Sequence, residues 1–585
     1  MMDFLLVTGA HGTLLSLFQQ QPKLLGGLSD LCDVQTAWIL AILPLYALAK
    51  SNSLPGGRHL LQGLAASLAI WAWKFSKTST TTILSKDNYL QSTALYLALQ
   101  VLSSLYTAFI GPLSQVPGPL FAKLSAYYLP YELLYRGNNF TTLFARLHAK
   151  YGPVVRIAPD EVHVKGSIDA YNRIYNQRFD KEAALYKCFG EDESSFGELT
   201  YSAAKARKDQ LSGLFTRSGV KGLEHVIRQN VERTIHRLVE ECASTKTSTD
   251  FLLAMKCLAV DVITTFCFAK NISAVETPGF KAPIIMAMEA SLFNFLVFMN
   301  FPLVNKIIFS LPPWLSRITA PELGGLFDLQ ELLQGQIDEL QEDPKRLDSV
   351  PHKTIYHPLL ETGTRKSLYE EGQAMLFGGT DTVSNTLMLL VFYVLSTPGV
   401  EERLLDELRR PGVWEDIKGD APEWDTLEKL PYLSAVIKEA LRLTPGVAAA
   451  QKRVVGKGGF ELEVDGKDYQ ISEGTILHAS SFLVNTDPEL WPEPKRFRPA
   501  RWLEVDAKER RAMEANLVTF SKGPRMCMGM NLAYCELYIA VATMFRKLEM
   551  KVDGTTEQDI WTYRECFIPW YYGKHLRIVA KERSD

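Results

Sequence analysis

Cys527 sits in the run Phe520-Ser521-Lys522-Gly523-Pro524-Arg525-Met526-Cys527-Met528-Gly529, among residue types that keep a thiolate anionic beside a metal. Gly523 lets the chain turn tightly, and Gly529 lets the backbone pass close to a flat ligand. Met530 to Leu537 has the pattern of a helix. Its N-terminal N–H groups and dipole would then lie near the sulfur and favour its anionic form. Arg525, two residues before the cysteine, is placed to offer a charge-assisted donor to a ligand carboxylate. The plainer alternative is a buried structural cysteine at a loop-to-helix turn.

A second constellation belongs to a helix. Ser367-Leu368-Tyr369-Glu370 has the form of a capping box, and the apolar spacing carries the helix to about Leu395. Gly378 and Gly379 fall inside it, although each mid-helix glycine costs about 1 kcal/mol relative to alanine. Thr380, Asp381 and Thr382 follow, polar groups embedded in apolar turns. A hydroxyl beside a carboxylate at a locally opened turn suits proton delivery. The alternative is that the glycines allow close helix packing while Asp381 is solvated. A third feature is Glu439-Ala440-Leu441-Arg442 in the helical run Leu433 to Leu443. Its spacing puts both charges on one face, but an exposed pair of this kind contributes almost nothing.

The pattern Phe-x-x-Gly-x-Arg-x-Cys-x-Gly resembles the haem-binding loop of the cytochrome P450 superfamily, where thiolate ligation favours O–O cleavage. The resemblance covers about residues 115 to 580. It implies that Cys527 is the axial ligand of haem iron and that Phe520, Gly523, Arg525 and Gly529 shape the cofactor loop. Gly378, Gly379, Asp381 and Thr382 match the family's oxygen-activation motif, and Val383 departs from it. Thr382 would then hydrogen-bond bound dioxygen and Asp381 would connect it to water. Glu439 and Arg442 would be joined by Arg501 of Pro499-Ala500-Arg501-Trp502 in a buried structural network. Arg453 matches a haem-carboxylate contact. The helix of Lys205, Arg207 and Lys208 stands where the family places another such contact, with Ala204 in place of the usual aromatic or histidine. The implied substrate pocket comprises Leu376, Phe377 and Gly378, then Thr444 to Ala448 with Val447, then Phe567-Ile568-Pro569. These short uncharged stretches suit an apolar substrate.

The implied activity is haem-thiolate monooxygenation. Electrons would come from an NADPH-cytochrome P450 reductase, with cytochrome b5 as a further donor, because no Gly-rich dinucleotide fingerprint opens a βαβ unit. Lys522 and the basic helix would offer that donor a docking face if they are exposed. The wording of several stretches is similar to filamentous-fungal members that tailor terpenoids, polyketides or alkaloids in secondary metabolism. Three rivals are an isomerase or dehydratase of the same haem-thiolate group, a haem-holding membrane protein without catalysis, and a membrane protein with no haem at all.

The elements that must position these residues follow from pattern. Tyr151 to Pro159 followed by Glu161 to Val164 has the composition of a β-hairpin, and strand signals return near Phe460 to Ile476 and Phe567 to Val579. Val220 to Ala243 and Asp250 to Phe268 carry helical periodicity. The expected class is mainly α with small β-sheets (α+β), a cytochrome P450 fold by resemblance. Of 585 residues, 47% are hydrophobic and 22% charged, and the net charge of −3 gives no reason to expect nucleic-acid binding. The eight scattered cysteines contain no CxxC pair, so neither a disulfide framework nor a zinc site is expected.

Residues 1–113 have the character of a membrane anchor and 114–585 that of the catalytic domain. No charge interrupts Asn88 to Ala122, and 89–112 is long enough to span a hydrocarbon core of about 30 Å. The shorter runs 34–49 and 59–73 either cross or lie at the interface. Gln115-Val116-Pro117-Gly118-Pro119 is expected to act as a stiff hinge. The implied location is the endoplasmic reticulum membrane, with the catalytic domain on the cytosolic face.

Overall fold

The computed structural model describes residues 86–310, 318, 324–414, 416–417, 419–448 and 451–584. The expected spans 34–49 and 59–73 lie outside these residues. The third apolar run falls on helix α1 (Lys86–Phe109). Two compact units divide the chain, Met1–Ser103 and Ser104–Asp585.

The larger unit is mostly helical, with small sheets. Arg156 shows how its sequence builds it. This fully buried guanidinium lies on β1 (Val154–Ala158) and donates to Leu113 O at 3.2 Å, Thr107 O at 3.0 Å and Pro159 O at 2.5 Å. Its backbone N–H bonds Pro117 O at 2.7 Å. The proline-rich segment therefore packs along the first strand rather than standing off as a free hinge. Helix α2 (Phe140–Tyr151) covers the next turn of chain, and β1 pairs antiparallel with β2 (Glu161–Val164) as the β-branched run predicts. β3 (Asp180–Lys181), β4 (Arg453–Val454) and β5 (Ile476–Ala479) complete a five-stranded sheet in the order β1-β2-β5-β4-β3. β2 and β5 run parallel, with Val162 beside Leu477. Phe460–Val464 and Lys467–Ile471 form a separate hairpin.

Helix α3 (Tyr201–Leu211) carries the basic residues Lys205, Arg207 and Lys208. Helix α4 (Glu224–Thr245) precedes α5 (Phe251–Phe268), whose Asp250 cap accepts from Leu253 N. Every residue of α5 except Thr265 is buried, so it is a core helix, apolar on all sides apart from Lys256, Asp261 and two threonines. It packs on α7 (Arg365–Ser396), with α6 (Pro283–Asn300) nearby in sequence. By length and composition α5, Pro278–Asn300 and α7 could each cross a membrane, but 94%, 56% and 78% of their most apolar windows are buried inside the protein.

Two local expectations are corrected. The cap of α7 is Thr364, whose hydroxyl accepts from Ser367 N at 3.0 Å, so the Ser367–Glu370 capping box does not form. The helix also runs unbroken through Gly378 and Gly379 instead of opening there. A β-carbon on Gly379 would lie 2.8 Å from Ile263 of α5, so this glycine permits close helix packing; one on Gly378 would meet nothing within 4 Å.

Helix α8 (Pro431–Leu443) and helix α9 (Met530–Lys547) finish the core. Arg564–Cys566 (β6) and Ile568–Trp570 (β7) form a tight hairpin whose tip residue, Phe567, has φ +87°. The seven described cysteines are free thiols.

Candidate active site

Cys527 is held by a loop that closes on itself. Its backbone N–H donates to Phe520 O at 2.9 Å and Met526 N to Gly523 O at 3.0 Å. Gly523 has φ +69°, and a β-carbon there would fall 2.3 Å from Tyr175 O, so only glycine fits. Gly529 is the N-cap of α9 and sits beside the sulfur, where a β-carbon on it would lie 4.0 Å from Cys527 Sγ. The Cys527 side chain is exposed to the cavity, yet the protein surrounding it desolvates the sulfur and pushes the thiol up; the Gly529 N–H and the Lys208 ammonium pull it down without overcoming that desolvation. A thiolate here requires additional positive charge, which a metal ion would bring. Lys208 clamps the same loop from α3, donating to Met526 O at 3.1 Å.

One cavity of about 360 Å³ collects most of the expected site residues. Cys527, Phe520, Arg525, Gly529, Arg453, Thr382, Phe377, Gly378, Val447 and Ile568 all line it. Gly523 shapes the loop from behind. Phe520 packs on Tyr534 with ring centroids 5.3 Å apart. Thr382 donates its hydroxyl to Gly378 O at 2.9 Å, and Thr386 donates to Thr382 O at 2.8 Å.

Asp381 does not line the cavity with Thr382. The two are neighbours on a helix and so face different directions, and Asp381 is fully buried against Lys256 of α5. Lys256 also bonds Glu289 of α6. Burial opposes the charge on Lys256, yet the two carboxylates outweigh it and raise its pKa. Asp381 Oδ2 has no hydrogen-bond partner among the described residues. The sequence signal for this ion pair was absent, because Lys256 stands 125 residues away inside an apolar helix.

The structural network stands apart from the cavity. Glu439 accepts from Arg442 at 2.8 and 3.1 Å, from Arg501 Nε at 3.0 Å, from Trp502 Nε1 at 3.0 Å and from Arg498 N at 3.0 Å. Arg442 and Arg501 extend to the carbonyls of Asn485, Pro494, Pro492 and Glu493, fixing the segment that leads toward Cys527.

The cavity wall suits an anionic, flat ligand. Arg453, 3% exposed, donates to Tyr186 Oη at 2.7 Å and lies over the Tyr175 ring. Arg525 donates to Glu198 O at 3.2 Å and Leu199 O at 2.9 Å, while its buried Nε has no partner among the described residues. Lys181 joins them on the wall, its ammonium on Phe196 O at 2.5 Å and over the Tyr186 ring. Lys181 was not legible as a site residue; a lone lysine in a two-residue strand carries no pattern. A thiol, unfilled guanidinium valence and the open face of Gly378 on one apolar cavity fit a haem with its carboxylates. Arg207 belongs elsewhere, paired with Glu371 at 3.3 Å.

The Cytochrome P450 family profile matches residues 118–564, well over half of the chain, and the chain belongs to that family. It is a haem-thiolate monooxygenase, and haem is its cofactor. It is similar to a tryptophan 6-hydroxylase, fscE, of Fusarium equiseti, at 32% identity over 81% of this chain and 93% of that one. N-acetyltryptophan 6-hydroxylase ivoC of Emericella nidulans is 31% identical over 81% of this chain and 94% of its own. Conidiogenone synthase PchP450 of Penicillium rubens is 29% identical over 82% and 96%.

Proposed function

We propose that Cys527 would hold the haem iron through its sulfur, that Arg453, Arg525, Lys181 and Lys208 would neutralise the haem carboxylates, and that Thr382 would handle protons in the same cavity. The observation that carries this reading is that Cys527 and Thr382, 145 residues apart in sequence, line one cavity. When bound, haem supplies a redox iron at which dioxygen gives one atom to the substrate and one to water, using two electrons from NADPH. Thr382 keeps its hydroxyl proton on Gly378 O and can offer its lone pairs, or after rotation its proton, to the cavity. Asp381 serves that proton path only when its side chain leaves Lys256, so its role depends on that ion pair opening.

The substrate we assign is an apolar small molecule of fungal secondary metabolism, a terpenoid, polyketide or alkaloid. The uncharged stretches around Val447 and Ile568 support it, as do relatives named as hydroxylases and a conidiogenone synthase. Electrons arrive from a reductase, with cytochrome b5 as an auxiliary donor. The membrane anchor lies within residues 1–113 and holds the catalytic domain of 114–585 to the endoplasmic reticulum membrane on its cytosolic face, residues 104–113 also packing against that domain. Exposed Phe109, Phe121, Tyr127, Tyr131 and Tyr135 support a membrane-facing surface, since aromatic rings favour the headgroup level.

The test is expression with a reductase in a microsomal host fed terpenoid and polyketide precursors. A product heavier by one oxygen, dependent on NADPH and O₂, is expected. Reduced, carbon-monoxide-treated protein that lacks the red-shifted haem-thiolate band would overturn the assignment of Cys527.

A further inference from the structure

At one end the cavity is walled by phenyl rings from four separate parts of the chain. Phe189 meets Phe295 of α6 at 4.8 Å between centroids and Phe567 at 4.8 Å; Phe196 closes on both Phe189, at 5.5 Å, and Phe567, at 5.8 Å. Phe377 of α7 stands 6.0 Å from Phe295. Phe567 holds this place at φ +87°, a conformation that costs a bulky residue about 1–3 kcal/mol. Strain of that kind persists where the surroundings enforce it, and here it turns a ring into the cage.

Among these rings stands one carboxyl with an unfilled valence. Glu191 lines the cavity and is only 3% exposed. Gln373 fixes which oxygen is free. The Gln373 carbonyl accepts from Tyr369 Oη, so its amide hydrogens point the other way, to Phe189 O at 3.1 Å and Glu191 Oε1 at 3.1 Å. Glu191 Oε1 is therefore an acceptor, and Oε2 has no hydrogen-bond partner among the described residues. The other polar groups nearby are engaged, Ser195 on Glu371 at 2.6 Å and Lys181 on Phe196 O.

We propose that this end of the cavity takes a flat, apolar ring system bearing one carbonyl, to which Glu191 donates a hydrogen bond from Oε2. This deepens, and rests on, the reading of the cavity as the haem and substrate site. Burial pushes the Glu191 carboxyl up to about 8. Gln373 and Lys181 pull it down, while Glu370 and Glu371 of α7 push it higher; Arg207 is spent on Glu371. Tyr369 and Cys188 are also close, and burial raises both, so both stay neutral. At neutral pH Glu191 thus carries a proton, and because Oε1 accepts from Gln373 that proton sits on Oε2. Above its pKa the free oxygen becomes an anion that repels a carbonyl.

The test uses the haem-loaded full chain and three probes of one ring system: 2-tetralone, tetralin and 2-aminotetralin, with binding read by equilibrium dialysis. At about pH 6.5, 2-tetralone is expected to bind about tenfold tighter than tetralin, the difference one buried hydrogen bond makes. At about pH 9.5 that preference should fall to nearly none, as the donor is lost. Glu191→Gln keeps an N–H donor without a titrating proton, so it should retain the preference at both pH values. Glu191→Leu should lose it at both, with an intact haem-thiolate band. Equal binding of tetralone and tetralin at the lower pH, tighter binding of the amine, or no binding of any probe by protein showing that band would each overturn the proposal while leaving the monooxygenase reading in place. Loss of the band in the unmodified protein would instead defeat the Cys527 assignment.

Discussion

Glu439 is the clearest case of one side chain holding many others. Its two oxygens receive two guanidinium groups, an indole N–H and a backbone N–H, all from buried or half-buried partners. Glu439→Gln would leave Arg442 and Arg501 without their shared anion and turn an amide N–H toward other donors. We expect a loss of about 3–5 kcal/mol in chemical unfolding, together with poor haem retention. Glu514→Gln, which removes the partly exposed partner of Lys438, should change stability by less than about 1 kcal/mol. The Glu-x-x-Arg spacing and the later Arg501 were legible in sequence, but the indole of Trp502 was not, since only the fold brings its N–H to the carboxylate. At Thr382 the consequence is chemical. Thr382→Ala should lower the fraction of NADPH electrons recovered in product and release peroxide, with little effect on folding, because the hydroxyl faces the cavity and, among the described residues, bonds only its own helix. Unchanged coupling would remove Thr382 from the proton path.

At the scale of elements, α5 and α7 explain why two adjacent glycines are not interchangeable. Gly379 meets Ile263 across the interface, whereas Gly378 faces open space in the cavity wall. An alanine gains up to about 1 kcal/mol of helix propensity at either position. At Gly379 the new methyl must displace the Ile263 side chain, and overpacking of that kind costs about 1–3 kcal/mol. Gly379→Ala should therefore destabilise the protein, and Ile263→Val should recover part of the loss. Gly378→Ala should leave stability equal or slightly higher while weakening the binding of bulky ligands. A thermal unfolding series of the three variants decides it; equal destabilisation by both alanines would mean the helices do not meet as described. The glycine pair was visible in sequence as an anomaly, but neither reading of it holds whole: the helix does not open there, close packing applies to Gly379 alone, and Asp381 is buried rather than solvated. The direction of Asp381 was not visible. Its partner Lys256 lies on α5, whose apolar composition marks it as a buried helix and gives no hint of an internal cation.

For the whole molecule, local patterns reported well and long-range juxtapositions did not. The strands from Val154 to Val164, the helices on Asp250 and Met530, and the cysteine loop each carry a short-range signal of period, cap or turn. Lys181, Glu191 and Lys208 line one cavity because the sheet, the connection carrying Glu191 and α3 converge there, and no window of sequence encodes that convergence. The start of the larger unit follows the same logic and yields a direct test. Uncharged sequence suggests a catalytic domain that begins at 114, yet the buried guanidinium of Arg156 spends two of its hydrogen bonds on Thr107 O and Leu113 O, and Leu113 itself lies in the core. A chain beginning at Ser104 keeps both acceptors; one beginning at Ser114 loses both and opens Arg156 to solvent. Bonds from a charged donor contribute about 1.5–3 kcal/mol each, and water recovers part of that once the site is open. The shorter chain should therefore be less stable by roughly 3 kcal/mol in urea unfolding, with unchanged slope, because the rest of the core is common to both. Should the two truncated chains unfold at the same urea concentration, Arg156 does not tie residues 104–113 to the first strand, and the domain begins after them.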